Sequence, residues 1–403
     1  MKILIVHDYA ARYGGGENMA FDLRSALQKR GHQARVFAST AELVPSVPRE
    51  ADATCFGTTS PLVRVTRALN PAAARSLQRE IEAFQPDVIH VRMFLTQLSP
   101  LILPVLARAR TNYGTRTLFH VVNSDPICPL GTKQLPDGRR CRQKPGLNCS
   151  RAGCLPPFGL ARALVQHGLF RRWLDCFDAI YANSKFMADL LRADEIPCAG
   201  YVWNGVPTAR FHRRLTSQKE VVFAGRLSPE KGVSLLLEAW SLVIRQHPDA
   251  HCHVVGDGPS RPELQQQAQA LGLLEKVTFY GHLPRLRLEE LAQSAWFQVV
   301  PSQWEEPFGI SCAEAMMRGT AVLASYAGGL AEQIVNGESG ALLPPTSPHK
   351  WAGTMTQLLN QPEECERLGD AARSRAEKHF TLETYLDSWI DIYTNLKAAE
   401  PNC

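Results

Sequence analysis

The feature that most constrains this chain is a short apolar segment followed by a glycine-rich turn and a helix, a unit that recurs along most of the 403 residues. The first unit has an apolar strand at 3–6, three glycines at 14–16, a helix from about 17 to 29 and a second strand at 34–38. Strands that alternate with helices form parallel sheets. The pattern therefore predicts an α/β protein with doubly wound parallel sheets.

The alternation pauses at a turn-rich stretch, 202–207, and then starts again. Further strands are expected at 87–91, 117–122, 178–184, 220–225, 251–256, 277–279, 297–300 and 321–324. A chain of this length exceeds the size at which one hydrophobic core keeps growing. We therefore expect an N-terminal domain over 1–205, a C-terminal domain over 206–378, and a C-terminal helix within 379–403 that crosses back to the N-terminal domain.

Composition places the chain among globular proteins, with 45% apolar and 21% charged residues. The apolar run before His7 and Asp8 is too short for a signal peptide. No later run approaches the roughly 20 apolar residues of a membrane-spanning helix. We expect a cytoplasmic protein.

Positive charge is concentrated between Val105 and Asp175, where twelve Lys and Arg residues face three Asp residues. Such an excess favours a phosphate-rich partner: an anionic membrane surface, a pyrophosphate lipid or a nucleic acid. A solvated basic loop explains the same pattern equally well. Peripheral contact with the inner face of an anionic membrane is the partner expected beyond the substrates.

Four cysteines lie in an insertion at about 126–157: Cys128, Cys141, Cys149 and Cys154. Four thiolates could bind a structural zinc, but the spacing lacks paired C-x2-C motifs. Zinc binding and unligated thiols both remain open, and disulfides are less expected in a reducing compartment. The insertion follows His120, so we expect it to shape a ligand pocket beside the end of that predicted strand.

Two loops in the second half carry groups suited to a phosphorylated, hydroxyl-rich ligand. Arg226 and Lys231 follow a strand, where a guanidinium fork and an ammonium can neutralise a diphosphate. Glu306 and Glu314 are eight residues apart, one in a loop and one in the next helix, and can reach two separate hydroxyl groups. Open α/β sheets bind ligands outside the carboxyl ends of their strands, where both loops belong.

In this order, the motifs of the second half resemble those of the retaining glycosyltransferase family 4, also called glycosyl transferases group 1. The matching segments are Gly225-Arg226 with Lys231, Gly256-Asp257-Gly258-Pro259, Pro301-Ser302, Glu306-Pro307-Phe308-Gly309 with Glu314-Ala315, and Gly328-Gly329 with Glu332. The resemblance covers nearly the whole chain. It implies the GT-B fold, in which two Rossmann-like domains face each other across a cleft.

The resemblance also implies roles for individual residues. The implied donor-binding set is Gly15, Gly16, Arg226, Lys231, Gly256, Glu306, Phe308, Gly309, Ile310, Glu314, Gly328 and Gly329. Within it, Arg226 and Lys231 would hold the diphosphate, and Glu314 the ribose hydroxyls. Glu306 and the backbone at 308–310 would hold the transferred sugar.

The implied catalytic set is His120, Glu306, Arg226 and Lys231. The family often follows this histidine with Asp or Gly, whereas this chain has Val121, so the exact role of His120 stays open. His90 and Arg92, at the end of another strand, are candidate acceptor contacts.

The implied reaction moves a hexose from a UDP- or GDP-linked donor to a glycan or lipid-linked acceptor, in cell-envelope or exopolysaccharide biosynthesis. No cofactor is required for this chemistry, and the chain lacks a D-x-D sequence. The alternatives are a nucleotide-sugar epimerase or phosphorylase of the same fold, or a nucleic-acid-binding protein that uses the basic insertion. A dinucleotide oxidoreductase is least favoured, because Ala38-Ser39-Thr40 offers no acidic residue for a ribose.

Overall fold

The computed structural model describes residues 1–44, 47–209 and 215–399. It divides into two compact units, Met1–Asn204 together with the segment from Tyr385 onward, and Gly205–Thr384. Residues 210–214 and 400–403 of the predicted domains lie outside the described residues. Each unit is a parallel sheet flanked by helices.

The first unit has seven strands within its described residues, in the order β3-β2-β1-β4-β5-β6-β7. The strands are β1 (Lys2–Tyr9), β2 (Gln33–Ser39), β3 (Ala53–Cys55), β4 (Val88–Val91), β5 (Arg116–Val121), β6 (Ala179–Ala182) and β7 (Gly200–Tyr201). Its helices are α1 (Gly15–Lys29), α2 (Val63–Thr66), α3 (Pro71–Phe84), α4 (Leu103–Tyr113), α5 (Asn148–Arg151), α6 (Pro157–Arg172) and α7 (Lys185–Ala193). The strand order reverses between β1 and β4, which pair in parallel from Ile3 with Val88.

The second unit has six strands within its described residues, in the order β10-β9-β8-β11-β12-β13. The strands are β8 (Glu220–Ala224), β9 (His251–Val255), β10 (Val277–Gly281), β11 (Phe297–Val300), β12 (Ala321–Ser325) and β13 (Ala341–Leu343). Its helices are α8 (Val233–Val243), α9 (Arg261–Ala270), α10 (Arg285–Ala292), α11 (Ile310–Met317), α12 (Leu330–Gln333), α13 (Pro348–Leu359) and α14 (Pro362–His379). A last helix, α15 (Leu382–Ala398), starts in the second unit and has most of its length in the first.

The central strands are buried on both faces, as parallel sheets covered by helices require. Residues 3–6 of β1 and 297–300 of β11 are all buried, although Gln298 is polar. Gln298 accepts a 2.6 Å hydrogen bond from Nη2 of the buried Arg318, so its amide oxygen has a partner inside the second unit.

The sequence pattern over 98–108 predicts a helix, and the structure begins this helix later. The α-helix α4 begins only at Leu103, after a 3₁₀ turn at Pro100–Ile102. Ser99 takes a left-handed conformation (φ 67°), and its side chain accepts a hydrogen bond from the amide of Leu101. This turn delays the helix by five residues from the predicted start.

Among the described residues, no helix combines the length and the apolar character that crossing a membrane would need.

Candidate functional site

The candidate donor loops of the second unit lie at the carboxyl ends of its strands. The strand order reverses between β8 and β11, which are paired neighbours. The loop after β8 carries Arg226 and Lys231, and the loop after β11 carries Glu306. A reversal of this kind opens a crevice at the sheet edge, which is the usual ligand position in such sheets.

An ion pair between the half-buried Lys231 and the buried Glu306 joins these two loops. Lys231 Nζ lies 2.6 Å from Glu306 Oε1, and Ser302 donates a 2.7 Å hydrogen bond to the same oxygen. Burial by itself would raise the pKa of the Glu306 carboxyl, but the Lys231 ammonium and these hydrogen bonds lower the pKa overall. Glu306 is therefore held as a carboxylate, and Ser302 is a member of the site whose contact with Glu306 the sequence did not reveal.

Close backbone contacts around the site leave no room for a side chain at two glycines of neighbouring loops. At Gly328 (φ 57°), a Cβ atom would lie 2.3 Å from the carbonyl oxygen of Glu306. At Gly256 (φ 134°), it would lie 1.8 Å from the carbonyl oxygen of Gly225. The amide of Gly329 donates a 2.7 Å hydrogen bond to the same Glu306 carbonyl. These glycines let the loops after β8, β9, β11 and β12 pack against each other.

The start of α11 provides backbone donors beside this pair. Gly309 precedes the helix in a left-handed conformation (φ 98°), and Phe308 is buried behind it. The amides of the first turn, including Ile310, have no acceptor within the helix. Gln333, a buried residue that the sequence analysis missed, donates to the carbonyl oxygens of Phe308 and Gly309 and fixes this turn.

Two predicted donor contacts lie further out. Arg226 is exposed, and in the described part of the chain its side chain makes no hydrogen bond or ion pair. Glu314 is half-buried in the second turn of α11. An exposed guanidinium on the loop after β8 and a half-buried carboxylate on α11 are compatible with the predicted contacts to a diphosphate and a ribose. Both roles stay predictions.

In the first unit, the glycine turn stands at the same kind of sheet edge. Gly15 and Gly16 are the first residues of α1, after the end of β1. A Cβ at Gly16 would lie 4.0 Å from the sulfur of Met93, so the turn adjoins the segment after β4. The turn thus lies at the strand-order reversal between β1 and β4.

The predicted histidines and arginine of the first unit are buried beneath α15. His90 Nδ1 lies 2.6 Å from the Tyr393 hydroxyl, and Arg92 Nη1 donates a 2.6 Å hydrogen bond to the Tyr385 hydroxyl. The ring of Trp389 on α15 lies against both His90 and His120, with centroids 4.6 Å apart in each case.

This cluster carries one positive charge and neutral imidazoles. Burial, followed by the charge of Arg92, lowers the pKa of His90 and of His120 well below the usual value. Within the described residues, Arg92 Nε and Nη2 have no hydrogen-bond partner. Neither His90 nor Arg92 reaches solvent here, so an acceptor contact would need a local movement of α15, and that assignment stays a prediction.

The four cysteines of the insertion line one small cavity together with apolar side chains such as Leu135. Burial and then the neighbouring thiols of Cys149, Cys141 and Cys128 raise the pKa of Cys154. Across the described residues, no group of three or more His, Cys, Asp or Glu side chains is arranged to hold a metal ion. The zinc site therefore gains no geometric support and stays a prediction.

Both halves of the chain match models of glycosyltransferase families. Residues 13–210 match the family model described as Glycosyltransferase Family 4, and residues 207–375 match that of Glycosyl transferases group 1. The glycogen synthase of Mycobacterium tuberculosis is 32% identical over 201 residues, which are 49% of this chain and 48% of the relative. The D-inositol 3-phosphate glycosyltransferase of Thermomonospora curvata is 33% identical over 213 residues, 50% of this chain and 48% of the relative. The chain thus matches about half the length of these curated relatives.

Solved structures extend the likeness to the whole fold. Sucrose-phosphate synthase from Thermosynechococcus elongatus superposes with a TM-score of 0.74 at 20% identity, covering 99% of both chains. Anabaena HepE in complex with UDP-glucose superposes with a TM-score of 0.70 at 20% identity, covering 98% of this chain and 100% of the other. With two Rossmann-like parallel-sheet units in the GT-B fold and both family models matched, the chain belongs to glycosyltransferase family 4, the group 1 glycosyl transferases.

Proposed function

We propose that the protein is a retaining glycosyltransferase that moves a hexose from a UDP- or GDP-linked donor to a glycan or lipid-linked acceptor. The observation that carries this proposal is the ion pair between Lys231 and the buried Glu306, with the exposed Arg226 on the same loop as Lys231, at the carboxyl ends of β8 and β11. The structure of HepE with UDP-glucose supports a nucleotide-sugar donor by analogy.

In this proposal, the positive groups stabilise the leaving diphosphate. Cleavage of the anomeric bond places negative charge on the diphosphate, and preorganised cations lower the energy of that state. An ammonium has three donors, so Lys231 can keep its bond to Glu306 and still donate to a phosphate oxygen. The Arg226 guanidinium is free to close onto the diphosphate as a fork.

Glu306 has the complementary role of holding the sugar. Lys231 and Ser302 both bond Oε1, which leaves lone pairs of Oε2 for sugar hydroxyl groups. Its lowered pKa keeps it an acceptor at neutral pH. We assign Glu314 to the ribose hydroxyls, and the backbone of Gly309 and Ile310 to the transferred sugar.

Retention follows in this scheme from attack on the face that the diphosphate leaves. A donor phosphate oxygen accepts the proton of the acceptor hydroxyl, and the developing oxocarbenium charge lies against the departing diphosphate. No step of this scheme requires a metal ion. We place the reaction in the cytoplasm at the inner face of a membrane, in cell-envelope or exopolysaccharide biosynthesis.

The deciding experiment is a thermal-shift screen with UDP, GDP, ADP and their common sugars. A ligand that binds only the folded state adds about 2.7 kcal/mol of stability at one hundred times its Kd. We expect one nucleotide diphosphate to raise the melting temperature and Arg226→Ala to remove the shift. The exposed Lys350→Ala is the matched charge-removal control. If no nucleotide shifts the wild type, the donor site proposed here is wrong.

Product analysis separates transfer from the other reactions of this fold. A transferase releases the nucleotide diphosphate and lengthens an acceptor. An epimerase would change the sugar without an acceptor, and a phosphorylase would require inorganic phosphate. Either result would replace the proposed reaction while keeping the donor site.

A structural zinc at Cys128, Cys141, Cys149 and Cys154 remains a separate proposal, which rests on the four thiolates that the insertion could supply. Elemental analysis of the purified protein decides it. Bound zinc that is lost when Cys141 and Cys149 are changed to Ser would establish the site, and a metal-free wild type would end the proposal.

A further inference from the structure

Helix α6 exposes an apolar face to solvent, the reverse of what a surface helix normally does. The side chains of Phe158, Leu164 and Val165 are 60%, 44% and 45% exposed. Ala161 and Gly168 lie on the same side at helical spacing and are also exposed. The outer side of α6 thus carries apolar residues over three turns.

The opposite face of α6 accounts for the core contacts of the helix. Phe170 is fully buried against Phe94 and Phe119. The Gln166 side chain donates hydrogen bonds to the carbonyl oxygens of Leu95 and Arg67. These bonds fix the orientation of α6. The core contacts of the helix are therefore made by its inner face, and the apolar outer face is a separate feature.

The neighbouring helix α2 also has exposed apolar residues on it and beside it. Gln166 of α6 bonds the backbone of Arg67, the residue directly after α2. Around α2, Leu62, Val65 and Leu69 are 51%, 49% and 44% exposed. We call the exposed residues of the two helices the α2–α6 face; its large apolar members are Leu62, Val65, Leu69, Phe158, Leu164 and Val165.

The two segments that carry the α2–α6 face contribute only positive charges of their own. Neither 57–79 nor 138–174 contains an acidic residue. Arg64, Arg151 and Arg172 are exposed. Arg67 and Arg162 both act on the single buried carboxylate of Asp125, so one acid faces two guanidinium groups. The face therefore combines protruding apolar side chains with a surplus of arginine.

We propose that the α2–α6 face docks on the surface of an anionic lipid bilayer. Apolar side chains of this kind enter the boundary between headgroups and acyl chains, while the arginines remain at the level of the anionic headgroups. A second copy of the chain suits the face less well, because a symmetric dimer would bring arginines of the two faces together. The bilayer supplies both the apolar phase and the negative charge.

This docking deepens the proposed function, and its purpose rests on the lipid-linked acceptor proposed there. Within the first unit, α6 packs on β5 and on the segment that follows β4, since Phe170 lies against Phe119 and Gln166 donates to the carbonyl oxygen of Leu95. A bilayer at its outer face would therefore lie beside the carboxyl edge of that sheet, where the acceptor contacts are predicted.

The test is co-sedimentation with vesicles of phosphatidylcholine alone and of phosphatidylcholine mixed with phosphatidylglycerol, without donor or acceptor. We expect binding to the anionic vesicles that weakens with added salt. The triple variant Phe158→Ser, Leu164→Ser and Val165→Ser should weaken it about tenfold or more, and Arg172→Glu should weaken it by a smaller factor. Leu274→Ser and Tyr326→Ser, at exposed apolar positions of the second unit, are the matched controls and should bind as the wild type.

Several results would overturn the docking proposal. They are the absence of binding to anionic vesicles, equal loss in the controls, and light scattering that shows a dimer broken by the triple variant. The nucleotide thermal shift, measured on every variant in vesicle-free buffer, shows that each is folded. The same measurement tests the donor site independently of membrane docking. If the wild type bound anionic vesicles but no nucleotide shifted its melting temperature, that result would count against the donor site alone.

Discussion

The two units hold their candidate residues in opposite ways. In the second unit, Lys231 and Glu306 form an ion pair between two neighbouring loops at the sheet edge, and the exposed Arg226 lies on the same loop as Lys231. In the first unit, His90, Arg92 and His120 are buried as neutral rings around one cation and are covered by α15. One set is arranged to meet a ligand, whereas the other is closed off from solvent.

A strand-end position alone does not make a side chain accessible. Lys231 and Glu306 follow parallel strands, and His90 and His120 lie near the carboxyl ends of theirs, the edge at which such sheets bind ligands. The second set is built from loops whose strands are neighbours in the sheet. The first is capped by a helix whose Tyr393 is 303 residues from His90. Whether α15 is a permanent part of that core or a cover that moves is what the following variants measure.

The largest expected effect is on stability, from Trp389→Ala. Trp389 is fully buried and packs against His90, His120 and Tyr181. Removing a buried Trp side chain costs about 3–5 kcal/mol, which denaturant unfolding followed by far-UV circular dichroism would measure. Asn395→Ala, on the exposed side of the same helix, should cost about 0.5 kcal/mol or less.

A small loss of unfolding free energy for Trp389→Ala, equal to that of Asn395→Ala, would contradict this expectation. It would show that α15 contributes little to the first unit and can lift from the histidines. The acceptor roles predicted for His90 and Arg92 would then be sterically accessible.

The next effect is on catalysis, from Lys231→Met. Loss of one preorganised positive group at a developing charge lowers kcat about 10²–10³-fold, measured by nucleotide release with a donor and an acceptor. The change also leaves the Glu306 carboxylate buried without its cation, which destabilises the fold.

A double variant separates these two consequences of Lys231→Met. Adding Glu306→Gln removes the unpaired charge, so the double variant should regain stability but not activity. If the double variant is no more stable than Lys231→Met, the ion pair does not hold the second unit's site in the way the structure indicates.

Two glycines in the same left-handed region give a matched pair in the second unit. Gly328 (φ 57°) faces the carbonyl of Glu306, whereas at Gly337 (φ 77°) nothing lies within 4 Å of an added Cβ. Gly337→Ala should cost about 1–2 kcal/mol from backbone strain. Gly328→Ala adds the steric clash, and we expect about 1–3 kcal/mol more together with weaker nucleotide binding. Equal costs, with binding intact, would mean that the two loops are not tightly packed.

The sequence predicted the fold well because strand and helix periods are local signals. The strands β1, β2, β4, β5, β6, β8, β9, β10, β11 and β12 all overlap predicted segments. Helix α6 was missed because Phe158, Leu164 and Val165 on its outer side remove the polar face that marks a helix. The glycine loops were identified by motif, but the contact of Gln333 with the Phe308 carbonyl and the cover of Trp389 over His120 are tertiary and have no local signal.

The smallest expected effect concerns pH and the first unit, through His7. His7 is fully buried in β1, and within the described residues neither of its ring nitrogens has a hydrogen-bond partner. Burial, followed by the charge of Arg92, lowers the pKa of His7 to about 3. The unfolded chain binds this proton below about pH 6.5 and the folded chain does not, so stability is lost as the pH falls below that value.

His7→Leu should therefore flatten the dependence of unfolding free energy on pH by up to about 1.4 kcal/mol per pH unit. Urea unfolding of the wild type and the variant, between about pH 7 and about pH 5, measures the difference. Asp8, whose pKa burial raises to about 6, changes stability with the opposite sign below that pH, but it is present in both proteins. The Glu306 carboxylate, with its lowered pKa, loses its contribution only below the usual glutamate range, so its titration stays outside this window. Equal slopes in the two proteins would mean that His7 is protonated in the folded state, and that the first unit's cluster is more open to water than its burial indicates.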